Sequence, residues 1–199
     1  MAKTILEKTT PTDYDIVAEI KNRWSPRAFA DTPISQSELM LLLEAGRWAS
    51  SSYNRQPWRM IYGFKDKEVY DRIFKCLVPF NQDWAKTASA LILGCYKKTT
   101  SEGQENFHAL HDLGLFVGNM AIQAQHNGIA IHQMAGLDHE KAKKEFDFPD
   151  EYHVATAIAV GYYGGDVNSL PSELREDELQ KIRKRKPISE FAFNGNFKK

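Results

Sequence analysis

The run from Ala88 to Tyr96 constrains the fold more than any other segment of this 199-residue sequence. Its residues are almost all apolar, and they include the strongly apolar Leu-Ile-Leu triplet at 91–93. Continuous apolar runs of this length are typical of strands that are covered on both faces, whereas half-exposed strands alternate apolar and polar residues. The segment therefore predicts a strand that is buried on both faces.

Segments with helical and strand periodicity alternate along the rest of the chain, without a linker, a low-complexity tract or an internal repeat. This pattern predicts one domain over residues 1–199. The predicted helices are one that begins after Thr12 and ends by Pro26, one capped by Ser35 that runs to about Arg47, and four over 68–77, 105–126, 138–146 and 172–184. The predicted strands cover 58–62, 88–96, 129–133 and 154–163.

Two segments lack a covering element in a single chain. Apolar residues of the helix over 105–126 spread round more than one face, so a partner would have to bury part of it. The apolar stretch 188–193 follows Pro187, and no further element remains in the sequence to receive it. Both features favour an assembly in which another subunit covers these segments.

Composition and charge exclude several classes of protein. Hydrophobic residues make up 42% and charged residues 26% of the sequence, which is ordinary for a globular protein. Lys plus Arg and Asp plus Glu both number 26, so no global field attracts nucleic acid or an anionic membrane, and any basic site must be local. The sequence shows no secretion signal and no membrane span. Cys76 and Cys95 are too few for a disulfide framework, so we expect reduced thiols and a cytoplasmic protein.

The first candidate binding motif is formed by Arg23, Ser25 and Arg27. These residues alternate in the segment KNRWSPRAF, so an extended backbone would place their side chains on one side. Guanidinium and hydroxyl donors suit a phosphate, because arginine presents paired donors that match its oxygens. The motif is short, and two surface arginines in a loop are the alternative interpretation.

The second candidate motif is a loop rich in hydroxyl and amide groups, ASSSYNRQPW at 49–58. Such a loop can hydrogen-bond a polar heterocycle without placing a charge on it. Its ordered string Ser51-x-x-Asn54-x-Gln56-Pro57-Trp58, which follows Arg-x-Ser-x-Arg, resembles the nitroreductase family of FMN-dependent oxidoreductases. Further segments match the family in the same order, and the resemblance spans roughly residues 14–191: these are 80–84, Asp112, Asn119, 127–129, 134–138 and the basic stretch 183–190.

The resemblance implies an α+β fold with a central, mainly antiparallel β-sheet flanked by helices. It also implies an intertwined homodimer that exchanges C-terminal tails and holds FMN at the subunit interface. The cofactor-binding residues implied by the resemblance are Arg23, Ser25, Arg27, Ser50, Ser51, Ser52, Asn54, Asn81, Ala135, Gly136, Arg183 and Arg185.

The resemblance also implies a role for each group of these residues. Arg27 would lie nearest N1 and the C2 carbonyl of FMN, while Arg183 and Arg185 would reach its phosphate. Residues 50–54 would come from the partner subunit, Asn81 would face the isoalloxazine, and a backbone N–H of Ala135 or Gly136 would donate to N5. The sequence departs from the family at Ser50, where many members have proline, and at Tyr53, which is larger than in some members.

The implied function is an oxidoreductase in which NADH or NADPH reduces bound FMN. The reduced flavin then reduces an electron-poor small-molecule acceptor, such as a nitroaromatic or a quinone, by a ping-pong mechanism. We expect no catalytic side chain, because FMN N5 carries the hydride chemistry. The same fold also serves flavoenzymes that dehydrogenate or dehalogenate a specific metabolite and proteins that bind flavin without catalysis, and the sequence does not separate these alternatives.

Two further patterns suggest other functions. The basic run 181–186 could bind nucleic acid, but net charge is zero and acidic residues precede the run, so we expect no nucleic-acid partner. His108, His111 and Asp112 have the spacing of metal ligands, but no fourth ligand is linked to them, so we expect no metal. We expect both cysteines and all four tryptophans to lie in the core: Cys76, Cys95, Trp24, Trp48, Trp58 and Trp84. The alternative for Trp84 is a position at the edge of the flavin pocket.

Overall fold

A four-stranded antiparallel sheet forms the centre of the protein, and the computed structural model describes residues 6–197. The order of the strands across the sheet is β1-β2-β4-β3, so β1 and β3 are the edges. The register pairs Ile61 with Leu93 across β1 and β2, and Ile131 with Val160 across β3 and β4. The strands are β1 Trp58–Phe64, β2 Ala90–Lys97, β3 Ile129–Met134 and β4 Tyr152–Tyr162.

Seven α-helices accompany the sheet within residues 6–197. The second begins at a capping box, in which the Ser35 N–H donates to Glu38 Oε2 at 2.8 Å and the Glu38 N–H donates to Ser35 Oγ at 3.2 Å. The sequence prediction of this cap is confirmed. The helices are α1 Ala18–Asn22, α2 Gln36–Arg47, α3 Glu68–Lys75, α4 Pro79–Ala85, α5 Ala109–His126, α6 His139–Glu145 and α7 Ser172–Leu179.

Strand β2 divides the core into two apolar clusters. Leu91 and Leu93 face a cluster that includes residues of α3, α4, α6 and α7. Ile92 faces the opposite cluster, which includes residues of α2 and α5. Both sides of the strand are therefore covered, as the apolar run predicted, and the fold is α+β with an antiparallel sheet flanked by helices.

The ends of the chain differ from the sequence prediction. The first helix begins at Ala18 and not after Thr12, and the last helix ends at Leu179 and not at 184. The early end of the last helix has a tertiary cause: the Thr9 N–H donates to the Lys181 carbonyl at 2.8 Å, and the Arg183 N–H donates to the Thr9 carbonyl at 3.0 Å. This pairing keeps residues 181–183 extended and overrides their helical propensity.

Three smaller differences concern α4, α5 and the tail. Helix α4 was not predicted, because Pro79 at its first turn and its short length leave little periodicity to detect. Helix α5 begins four residues later than predicted, at Ala109. In the tail, Ile188 and Phe191 are exposed in the single chain. No helix within residues 6–197 is long and apolar enough to cross a membrane.

Candidate functional site

The segment of residues 23–28, here called the arginine loop, is fixed on the β3 side of the sheet. The His132 ring on β3 bonds through Nδ1 to the Pro26 carbonyl at 2.9 Å. Thr87 Oγ1 donates to the Arg27 carbonyl at 3.2 Å, and the Phe29 N–H donates to Thr87 Oγ1 at 3.4 Å. Side chains from β3 and from the segment before β2 therefore define the path of this loop.

Glu178, in the last turn of α7, fixes the same loop from the other side. Its Oε1 accepts from the N–H groups of Arg27 at 3.0 Å and Ala28 at 3.1 Å. Oε2 also accepts from the Arg27 N–H at 3.1 Å. The residue is only 2% exposed, and burial raises the pKa of its carboxyl group, while the N–H donors, Lys8 and Arg27 oppose the rise.

Arg183 joins the C-terminal basic segment to the arginine loop. Its guanidinium donates to the backbone carbonyls of Arg23 and Lys21, and Nε donates to Thr10 Oγ1 at 3.0 Å. Burial lowers the pKa of Arg183, and the charges of Arg23 and Arg185 lower it further. The structure therefore brings Arg23, Arg183 and Arg185 together as neighbouring like charges.

The guanidinium of Arg27 carries a free donor in this basic region. Its Nε is buried and has no hydrogen-bond partner within residues 6–197. Nη1 lies 3.8 Å from Asp177 Oδ2, a long ion pair with a carboxylate that is mostly exposed. A buried donor without an acceptor is costly, so an anionic or carbonyl acceptor placed here would be stabilising. Ser25, in the same loop, is exposed.

A second group of predicted residues lies where β3 ends. The Asn81 side chain on α4 donates from Nδ2 to the Gly136 carbonyl at 2.8 Å, and the Val78 N–H donates to the same carbonyl at 3.2 Å. A Cβ at position 136 would lie 2.7 Å from Asn81 Nδ2 and 2.8 Å from Val78 Cγ2, so a side chain here would displace the Asn81 amide from its present position. Ala135 is exposed beside this pair.

The serine loop, residues 50–56, has an unusual backbone. Tyr53, Asn54 and Gln56 have φ values of 53°, 53° and 48°, a region that side chains other than glycine rarely occupy. The Ser52 N–H donates to the buried carboxylate of Asp112 at 3.1 Å, which ties the loop to α5. Strained segments of this kind concentrate at binding sites, where the surrounding contacts hold them in place.

The twelve residues predicted to bind cofactor fall into two regions. The arginine loop contacts β3 through His132, and Ala135 and Gly136 follow β3 directly. The serine loop precedes β1, at the opposite edge of the sheet. Within one chain, the residues of the first region lie on the β3 side of the sheet, and the serine loop lies at the β1 edge, apart from them. The first region holds Arg23, Ser25, Arg27, Asn81, Ala135, Gly136, Arg183 and Arg185; the second holds Ser50, Ser51, Ser52 and Asn54.

His132 makes the stability of the arginine loop dependent on pH. Burial lowers the pKa of His132 to about 4, and the charge of Arg27 adds to the shift. The unfolded chain takes up this proton near pH 6.5, so between pH 6.5 and 4 it holds more protons than the folded chain. We expect this group to remove up to about 3 kcal/mol of the free energy of unfolding as pH falls across that interval.

The contribution of His132 is measured by comparing how the free energy of unfolding changes with pH in the wild type and in two variants. His132→Asn keeps an amide donor near the Nδ1 position but does not titrate, so its stability should fall less between pH 6.5 and 4 than that of the wild type. His108→Asn, at an exposed histidine, is the matched control and should behave like the wild type. Urea unfolding at both pH values gives the free energies, and equal pH dependence in all three proteins would contradict the expectation.

The other sequence-based interpretations have mixed outcomes. No group of three or more His, Cys, Asp or Glu side chains within residues 6–197 could hold a metal ion. Both cysteines are free and buried, as expected. Trp58 and Trp84 are buried, whereas Trp48 is 75% exposed, so that prediction was wrong. It failed because Trp48 follows the last turn of α2, where its indole N–H donates to Glu44 instead of packing in the core.

Sequence reasoning missed the residues that support the arginine loop: Glu178, Thr87, His132 and Lys8. A signal for one of them was present. Glu178 lies four residues after Leu174 on α7, so the two share a helix face, and Leu174 is buried. Apolar pattern alone favours burial of the adjacent Leu179, which is in fact exposed.

The sequence and the fold resemble those of known proteins. The model of the Nitroreductase family matches residues 20–78 and 72–162. The major NAD(P)H-flavin oxidoreductase of Aliivibrio fischeri is 34% identical over 83 residues, which cover 40% of this chain and 38% of that protein. The residues that the family model matches include the arginine loop, the serine loop and Asn81.

Solved structures extend the likeness to almost the whole chain. A structure described as an oxidoreductase containing FMN is 32% identical, with a TM-score of 0.88, and the match covers 95% of this chain and 96% of that one. A nitroreductase family protein from Clostridium difficile shares the fold at 23% identity and a TM-score of 0.70, covering 92% of this chain and 100% of that one.

Proposed function

The chain belongs to the nitroreductase family, and on that premise we propose that it is an FMN-dependent oxidoreductase that uses NADH or NADPH as reductant. We further propose that residues 1–199 form one FMN-binding domain. Its two free, buried thiols are in keeping with a reducing compartment, and we assign it to the cytoplasm.

The observation that carries this proposal is the buried Nε of Arg27, which has no hydrogen-bond partner within residues 6–197, close to Lys8, which also lies close to the positive charge of Arg183. Such a cluster suits a ligand that has both a phosphate and a polar ring. Arg183 and Arg185 would face the phosphate, and Arg23, Ser25 and Arg27 would face the ring system. The residues present therefore fit FMN.

Bound FMN would supply hydride exchange at N5, from NADH or NADPH to an electron-poor acceptor such as a nitroaromatic or a quinone, in a ping-pong sequence. Reduced flavin carries negative charge at N1 and the C2 carbonyl, so the fixed charge of Arg27 would favour the reduced state. Asn81 would orient the ring, and a backbone N–H of Ala135 or Gly136 would donate to N5. The chain itself would therefore bind FMN, orient its ring and adjust its reduction potential.

The separation of the serine loop supports a homodimer. Ser50, Ser51, Ser52 and Asn54 would contact the FMN of the partner subunit, since they lie at the sheet edge remote from the arginine loop of their own chain. The exposed face of α5 would form much of the interface, with the apolar tail exchanged between subunits. Along this face Leu110 is 57% exposed, and a Cβ added at Gly114 or Gly118 would meet no atom within 4 Å.

Leu110→Glu is expected to separate the subunits. The carboxylate would be buried against the partner, yet it suits the first turn of α5 in a monomer, because negative charge is favourable at a helix N-terminus. Analytical ultracentrifugation should give a monomer that binds FMN at least about tenfold more weakly, a loss of about 1.4 kcal/mol. Lys144→Glu, on exposed α6, should stay dimeric. A dimeric Leu110→Glu protein would rule out this face as the interface.

The visible absorption spectrum of the purified protein tests the proposed function. The protein should be yellow, release a cofactor with the mass of FMN, and bleach when NADH or NADPH is added without oxygen. Double-reciprocal plots of the steady-state rate against reductant at several acceptor concentrations should then be parallel, since the two substrates bind the same face of the flavin in turn. A protein that stays colourless after incubation with FMN would contradict the proposal, and intersecting plots would contradict the ping-pong sequence.

A further inference from the structure

Glu178 is the most deeply buried acidic side chain on α7, at 2% exposure, and it contacts the arginine loop from outside the predicted site. Burying a carboxylate is costly unless it is paired or hydrogen-bonded. Its contacts go to the backbone N–H groups of Arg27 and Ala28. The buried carboxylate therefore defines where the Arg27 backbone lies.

The helix turn that carries Glu178 is itself held in place. The Lys8 ammonium donates to the Glu178 carbonyl and, at 2.7 Å, to the Gln180 carbonyl. A cation at this position satisfies the free carbonyls at the end of a helix. Lys8 also lies 4.5 Å from the centre of the Trp24 ring, in the arginine loop. Helix α7 and the arginine loop are thus joined by contacts on both sides.

A fixed backbone matters because the Arg27 side chain has a competing partner. Asp177, next to Glu178, lies 3.8 Å from Nη1 and is mostly exposed. A loop free to move could bring Arg27 fully onto Asp177, which would pair the guanidinium at the surface and withdraw Nε from its buried position. With the Arg27 and Ala28 N–H groups held, the guanidinium stays only loosely associated with Asp177, and its Nε stays without an acceptor among residues 6–197.

We propose that Glu178 is a positioning residue, which acts through the backbone of Arg27 to hold the guanidinium at the FMN site. The inference rests on the proposed function. Glu178 need not touch FMN, because the hydrogen bonds to Arg27 and Ala28 carry its effect. Hydrogen-bond acceptance, and not charge, is the required property, so an amide in the same place should serve.

Variants at position 178 test this role through FMN affinity and the reduction potential of bound FMN. Glu178→Ala should weaken FMN binding at least about tenfold and lower the potential, the same direction of change that is expected for Arg27→Ala. Glu178→Gln should bind within about threefold of wild type, because Oε1 alone accepts from both N–H groups. Glu176→Ala, at an exposed position on the same helix, is the matched control and should change neither quantity.

A double-mutant cycle separates positioning from general destabilisation. In the Arg27→Ala background, Glu178→Ala should cause no more than about a twofold further loss of FMN affinity, because the group that it positions is gone. Additive losses, or a Glu178→Gln protein as weak as Glu178→Ala, would overturn the inference. If Glu178→Ala does not fold, Glu178→Asp replaces it, because the shorter side chain withdraws the carboxylate oxygens by one methylene. Glu178→Asp should show the same loss of FMN affinity and the same coupling to Arg27→Ala. Wild-type FMN affinity in Glu178→Asp would also overturn the inference.

The same experiments distinguish failure of this inference from failure of the proposed function. Wild-type protein that does not bind FMN would contradict the proposed function itself. If the wild type binds FMN and Arg27→Ala weakens that binding, but Glu178→Ala leaves it unchanged, only the positioning role of Glu178 is contradicted.

Discussion

Arg27→Ala is expected to weaken FMN binding by about tenfold to a hundredfold, because hydrogen bonds to a charged group contribute about 1.5–3 kcal/mol. The Arg27 side chain is half-buried and its Nε is unpaired within residues 6–197, so the variant removes a donor that protein groups do not use. Fluorescence titration of the apoprotein with FMN measures this loss.

The same variant should lower the reduction potential of bound FMN. The reduced flavin carries more negative charge than the oxidised flavin, so it loses more stabilisation when the guanidinium is removed. A differential loss of about 1.4 kcal/mol corresponds to a fall of about 30 mV for a two-electron couple. Arg47→Ala, which removes an exposed arginine paired with Glu44, is the control and should leave both affinity and potential unchanged. An unaltered potential in Arg27→Ala would eliminate the tuning role.

Gly165→Ala is expected to cause a large loss of folding stability. An added Cβ would lie 2.4 Å from the Ala28 carbonyl carbon and 2.4 Å from the Phe29 carbonyl oxygen, and backbone atoms cannot rotate away as a side chain can. Overpacking of this kind costs about 3 kcal/mol, and the displaced segment adjoins Arg27, so FMN affinity should fall as well. Urea unfolding of the wild type and the variant measures the difference in free energy.

The control for this substitution is Lys144→Ala, at an exposed position on α6, away from the proposed interface. Substitutions at exposed positions without specific contacts change the free energy of unfolding by about 0.5 kcal/mol or less. Equal stabilities of Gly165→Ala and wild type would show that the segment around Ala28 can shift without cost.

The sequence pattern predicted correctly those helices and strands whose own residues carry a clear signal. The apolar run of β2 and the capping box of α2 both encode their own structure, so their predictions are confirmed. The helix predicted to reach 184 ends at Leu179, because the residues that follow it pair with Thr9, and no periodicity reveals a contact between segments so far apart in sequence.

The candidate site was predictable where it resides in short motifs. Arg23 and Arg27 lie in one loop, and the sequence indicated that loop directly. Its support by Glu178 was missed because charged residues are seldom buried, although Glu178 shares a helix face with the buried Leu174. The strained conformation of Tyr53 and Asn54 was equally hidden, since neither is a glycine and tertiary contacts hold the loop.

The contact between the two ends of the chain sets an order on folding during synthesis. Glu178 and Arg183 hold the loop of Arg27 from more than 150 positions away in sequence. Contacts of such high separation form late, after the strands and helices between them are in place. The ribosome must therefore have synthesised the chain through residue 183 before the contacts that hold the arginine loop can all form.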